Sequence, residues 1–247
     1  MRRRMGGFVT HAFVHRARQF ATLWLPLLLL APVARAVAAE GLDYTYGELG
    51  YAIDSTIETY GKSYDSDSSF RVNASYLLNR HFFLSAQYYS ASYDFEGPDD
   101  YSLSGYSLGV GYRGRISGDD AMPVDWFVQL SYERIDTQSE VDHVDYETGR
   151  DGGGLKAGIR AAVTENLELN FAAYEQSFGS NFVTLDGDLN GLSFELGGAL
   201  RLNDRYSLTA AYKTGELDYK RQDNFPGKWE IELDHDEVFV GVRAAFR

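Results

Sequence analysis

From residue 44 to the end, apolar and polar residues alternate in ten stretches separated by polar connections, and almost nothing repeats at helical spacing. The stretches fall near 44–59, 68–78, 82–95, 102–115, 124–137, 152–163, 167–178, 189–202, 206–219 and 235–246. A period of two puts alternate side chains on opposite faces of an extended strand. In the first stretch Leu49, Tyr51, Ile53 and Ile57 share one face, and Glu48, Gly50, Ala52, Asp54 and Thr56 the other. In the second, Phe70, Val72, Ala74, Tyr76 and Leu78 oppose Arg71, Asn73 and Ser75. In the fifth, Trp126, Val128, Leu130 and Tyr132 oppose Gln129, Ser131 and Glu133. The pattern predicts ten antiparallel strands and an all-β fold.

The connections come in two kinds. Short ones occur at 79–81, 164–166 and 203–205, with a somewhat longer one at 117–123. Between them lie longer polar segments near 60–67, 96–101, 138–151, 179–188 and 220–234. The prolines after residue 39 (Pro98, Pro123 and Pro226) all fall in connections, where no ladder hydrogen bond is lost.

The amino terminus has a different composition. Residues 2–18 hold five arginines and no acid, Phe20 to Leu30 is an apolar run broken by Pro26, and small residues follow to Ala39. A positive start, a short apolar core and a small-residue site predict a secretory signal peptide over 1–39 and a barrel domain over 40–247. The alternative, a membrane anchor, needs roughly 20 apolar residues. Six of the 23 basic residues and none of the 36 acidic ones lie in 1–39, so removing it leaves 17 basic residues and a net charge of −19. That balance excludes nucleic acid as a partner, which requires clustered Lys and Arg. Cysteine is absent, which removes disulfide, thiol and zinc-thiolate chemistry.

Without an apolar helix after residue 39, the chain can cross a bilayer only as a closed barrel. Alternation alone also suits a soluble barrel with its apolar face inward. Three features point the apolar face outward. Charges of both signs sit deep within the strands on the polar face. Glycines crowd the same face (Gly50, Gly105, Gly109, Gly111, Gly158, Gly197, Gly215 and Gly241), making room for long inward side chains. Tyr51, Tyr76, Tyr88, Trp126, Tyr132, Tyr206 and Tyr212 recur near the ends of the apolar stripes, as in aromatic girdles. The opening strand YTYGELGYAI and the closing strand VFVGVRAAF, with the alternation between them, resemble the small outer-membrane β-barrel superfamily that includes OmpX and the transmembrane domain of OmpA. This resemblance covers the chain after the leader. It implies a closed up-and-down barrel in a Gram-negative outer membrane, exported through the periplasm, with lipid and lipopolysaccharide around it and one chain per barrel. Strand number in the superfamily is commonly eight, against the ten counted here. It also implies that the last strand, through Val238, Val240, Val242 and Phe246, is the signal read by the assembly machinery, although Arg247 makes the aromatic penultimate.

The expected lumen carries the candidate chemistry. Arg71, Arg113, Lys156, Arg160, Arg201, Lys213 and Arg243 should meet Glu48, Asp54, Glu133, Glu168, Glu195 and Glu237 in an ion-pair network. Seven cations against six acids favour a filled lumen, with a structural or surface-interaction role. An incompletely filled one would be a narrow channel for small solutes. A third reading is a protease like the ten-stranded omptins, because His143 and His235 each lie beside aspartates on expected outer loops; His81 lies in a short turn. No motif surrounds these histidines, and the reading is not that of an enzyme. The segment Asp186 to Gly191 begins like a calcium loop, but Gly197 occupies the position of its bidentate glutamate. No cofactor or dedicated metal site is expected. Acids crowding the outer connections (Asp65, Asp67, Asp94, Glu96, Asp99, Asp100, Asp142, Asp145, Glu147, Asp186, Asp188, Asp234 and Asp236) suit at most diffuse divalent cations. Amino-terminal sequencing of the exported protein should give a first residue directly after Ala36, Ala38 or Ala39; an intact amino terminus would remove the leader.

Overall fold

The computed structural model describes residues 42–59, 62–94, 100–116, 122–141, 144–179, 187–221 and 230–246. The expected leader lies outside them. Ten strands follow in chain order: β1 (Tyr46–Thr59), β2 (Lys62–Leu77), β3 (Phe82–Asp94), β4 (Asp100–Arg115), β5 (Val124–Val141), β6 (Val144–Ala162), β7 (Leu167–Gly179), β8 (Gly187–Arg201), β9 (Tyr206–Arg221) and β10 (Glu230–Ala245). Each pairs antiparallel with its chain neighbours, and β1 pairs with β10, so the sheet closes as an up-and-down barrel. The strand count is ten, not eight.

Hydrophobicity decides the part of each strand nearest the short turns. Leu49, Val72, Leu84, Val110, Leu130, Ile159, Phe194, Leu208 and Val242 all lie exposed on the outer surface. On β2 this stripe runs from Phe70 to Leu78, which matches the roughly 9–11 residues of a strand crossing a bilayer. Aromatic rings close the stripe at both edges. Phe82, Tyr112 and Trp126 pack together near the turns, while Phe70 with Tyr88 and Tyr106 with Tyr132 pack at the other edge. The turn at 79–81 is held by the Asn79 side chain, which accepts from the backbone N–H groups of His81 and Phe82; Asn203 does the same for Arg205 and Tyr206.

The strands also continue where polar loops were expected. β2 begins at Lys62, β5 runs to Val141, β6 restarts at Val144, and β9 and β10 reach Arg221 and Glu230. Val141 still pairs with Val144, and Thr59 with Lys62. Main-chain pairing in a hairpin does not need an apolar face, so these polar extensions carried no alternation to reveal them.

The first strand departs from strict alternation. A β-bulge between Ala52 and Asp54 inserts one unpaired residue in β1, and another lies between Ser66 and Ser68 in β2. An extra residue reverses which face every later side chain occupies. Ile57, expected on the lipid face, is therefore buried inside, and Asp54, expected in the lumen, is exposed on the outer face.

Outward positions of the extensions are polar, including Asp54, Glu58, Ser90, Ser104, Asp136 and Glu216. Leu130→Arg, in the middle of the apolar band, should cost about 2–4 kcal/mol in urea unfolding from phospholipid vesicles. Ser104→Arg, on the same face but beyond the aromatic edge, should stay within about 0.5 kcal/mol.

Candidate functional site

The lumen divides into two zones. Near the turns, the segment preceding β1 folds into the barrel mouth. Leu42 and Tyr44 are buried there against Phe83, Phe127 and Ala172. Glycine makes this possible: a Cβ at Gly111 would lie 2.1 Å from the Phe83 ring, and one at Gly158 would lie 2.7 Å from Phe127. The Tyr44 ring is sandwiched between two guanidinium groups, with Arg113 and Arg160 at 4.4 and 4.2 Å from its centre. Such stacking satisfies cations with a π face where water is scarce.

From this sandwich an ion-pair ladder climbs the lumen. Asp125, almost wholly buried, accepts from Arg113 at 2.9 Å and Arg115 at 3.2 Å. Glu168 accepts from Arg160 at 2.8 Å and Arg243 at 3.2 Å. Arg243 also donates to Glu48 at 2.9 Å, and Asn73 donates to the same carboxylate. Arg71 lies 3.7 Å from Glu48 and donates to Glu195 at 3.0 Å. Lys156 completes the chain, 3.9 Å from Glu195. The Arg71–Glu195 pair joins β2 to β8, four strands away round the barrel, so the ladder crosses the lumen instead of lining it.

The expected network is thus partly assembled. Arg71, Arg113, Lys156, Arg160, Arg243, Glu48, Glu168 and Glu195 come together as the ladder. Glu133 also faces inward, but it accepts hydrogen bonds from Ser131 and Gln176. Among the described residues Glu237 receives only the Ser55 hydroxyl, at 3.5 Å, and Lys213 lines the lumen without an ion pair. Arg201 sits at the short-turn end, away from the ladder. Asp54 points outward. Reasoning from sequence missed Asp125, which has the same parity as Gln129 and Glu133, and Tyr44, which opens the first stretch. Only the return of the amino-terminal segment into the barrel places Tyr44 between two arginines.

Above the ladder the lumen opens into a cavity of about 390 Å³, and a smaller one of about 120 Å³ lies among the ion pairs. Neither described histidine forms the Asp–His pair of the protease reading. His81 is exposed on its turn and stacks on Tyr112. His235 faces inward, while Asp234 and Asp236 beside it in the strand take the other face; Asp236 accepts from the Tyr212 hydroxyl. His143 and the segment from Asp186 fall at least partly outside the described residues. Among the described residues no group of three or more metal-ligating side chains is brought together.

Residues 23–188, more than half of the chain, match the model of the outer membrane protein β-barrel domain. The chain belongs to that family. It is accordingly a protein of the Gram-negative outer membrane. None of the curated proteins matches it. Among solved structures it is similar to Neisserial surface protein A, at 16% identity over 84% of this chain and all of that one, with a TM-score of 0.40. It is also similar to Ail of Yersinia pestis (13% identity, 80% and 96% covered, TM-score 0.39). A third is the outer-membrane protease OmpT of Escherichia coli (10% identity, 84% and 100% covered, TM-score 0.45). These likenesses concern the fold alone.

Removing one member of the ladder leaves its partners charged and dry. Glu168→Gln, which strands Arg160 and leaves Arg243 with Glu48 as its carboxylate, should destabilise the barrel by about 3–5 kcal/mol in denaturant unfolding. Glu216→Gln on the exposed outer face should change it by less than about 0.5 kcal/mol.

Proposed function

We propose that this outer-membrane barrel is closed to solutes, is not an enzyme, and acts at the cell surface through its outward-projecting strands and the cup they enclose. The ladder that crosses the lumen carries this reading. Charged side chains locked to one another across a barrel leave no water-filled path without breaking buried pairs, each costly to separate. Tyr44, stacked between Arg113 and Arg160, and Leu42 beside it support closure from the turn side. That neither ring nitrogen of His235 has a hydrogen-bond partner among the described residues argues against acid–base hydrolysis there, since a histidine base needs an orienting partner within hydrogen-bond reach. The polar extensions of β2, β5, β6, β9 and β10 supply the surface that a partner outside the cell would meet.

Reconstituted in planar bilayers, the protein should give no steady conductance steps. The combined variant Tyr44→Ala with Arg160→Ala, which removes the sandwich, should introduce them. Reproducible steps from the unaltered protein would instead favour the narrow channel.

A further inference from the structure

Above the aromatic edge the barrel reverses its polarity. Outward positions there are polar, among them Asp54, Arg134, Asp136 and Glu216, while Ile57, Leu103, Ile135, Phe178, Leu189 and Leu217 turn inward. Two apolar clusters, one around Ile57 and Tyr93 and one around Ile135, Phe178 and Leu189, both contact Leu103 and so form a nearly continuous ring. A lumen that only needed to be filled and wet would not bring these side chains into its mouth. The reversal on β1 is produced by the bulge before Asp54, which turns Ile57 inward. The enclosed space, about 390 Å³, lies within the range of small-molecule sites.

Two polar groups in this space lack partners among the described residues. Both ring nitrogens of His235 are buried without a hydrogen bond. Lys213, on the neighbouring strand, has no carboxylate within ion-pair distance among the described residues, although Glu195 and Glu237 stand opposite it in register and Glu133 is near enough to feel its charge. His235 is registered opposite Gly215 and Lys213 opposite Glu237, so the two side chains are diagonal neighbours on adjacent strands. Arg71 and Lys156 on the floor are engaged by Glu195. Of the inward-facing charges lining it, Arg71, Arg150, Lys156 and Lys213 stand against Glu133, Glu195 and Glu237, while Arg134 faces outward with Asp136. In a chain this acidic, an apolar wall around a lysine and a histidine without close partners among the described residues calls for a ligand.

We propose that the cup binds one small amphiphile with an apolar chain and a single carboxylate, a medium-chain fatty acid in class. The chain lies against the Ile57–Leu189 ring, and the carboxylate accepts from the Lys213 ammonium and a His235 ring N–H. Burial of the chain supplies affinity, while the two unpartnered donors supply selectivity for the acid.

This rests on the closed floor proposed above. The test uses the exported protein in phospholipid nanodiscs with radiolabelled decanoate, and with decanol and butyrate as comparators lacking the charge or the chain. Saturable uptake of one decanoate per barrel is expected, about tenfold tighter than decanol, with butyrate unbound. Lys213→Met should weaken decanoate about tenfold and leave decanol unchanged, and His235→Phe should act in the same direction. Leu217→Asp should abolish both. Heat-modifiable gel migration checks that each variant folds, and competition by unlabelled decanoate on the unaltered protein needs no variant. Uptake no greater than by empty discs, or equal binding of acid and alcohol, would overturn the proposal. A silent barrel that binds nothing sinks this inference alone; a conducting barrel that binds decanoate sinks the closed lumen alone.

Discussion

Lipid offers no hydrogen bonds, so every backbone N–H and C=O of a spanning strand must find its partner within the protein. That constraint fixes the topology: β1 must meet β10, and the pairing of Tyr46 with Ala245 through Thr59 with Leu233 leaves no edge. The backbone N–H of Phe246 donating to the Thr45 carbonyl extends the seam beyond the last strand pair. Once the cylinder closes, alternation distributes the side chains. One half of each spanning segment meets acyl chains, and the other half is confined to a narrow lumen with the charges it carries.

The lumen resolves that confinement in two ways. In the lower zone charge is matched to charge, and arginines are further stacked on Tyr44, Tyr46 and Phe239. A carboxylate shared by two guanidinium groups, as at Glu168 and Glu48, satisfies more lone pairs than an isolated pair can. In the upper zone, beyond the aromatic edge, the outer surface is polar and the inner one apolar. The molecule is a membrane barrel with a short barrel of inverted polarity built on top, and the boundary between them is the floor made by Arg71, Glu195 and Lys156.

This two-zone arrangement explains which residues could be read in advance. The closing strand Val238–Phe246, the outer stripe from Phe70 to Leu78 and the glycine-rich inner face announce themselves, because a period of two in a lipid-facing strand is a one-dimensional signal. The ladder was partly visible for the same reason: Glu48, Arg71, Arg160, Glu168, Glu195 and Arg243 all have inward parity. Asp54 was misplaced because a bulge is a backbone irregularity with no distinctive side chain to mark it. The polar loops were misread because two polar faces conceal a strand.

The chain on its own determined the strand number, the outward direction of its apolar residues and the presence of mixed charge inside, since each follows from alternation and from the energetic cost of charge in lipid. Tertiary structure alone decided which charges meet, that Tyr44 returns to stack between two arginines, and that His235 and Lys213 share an apolar cup. Those contacts join residues on different strands through register and bulges. Register depends on how ten strands fit into one closed circle, which no single strand encodes.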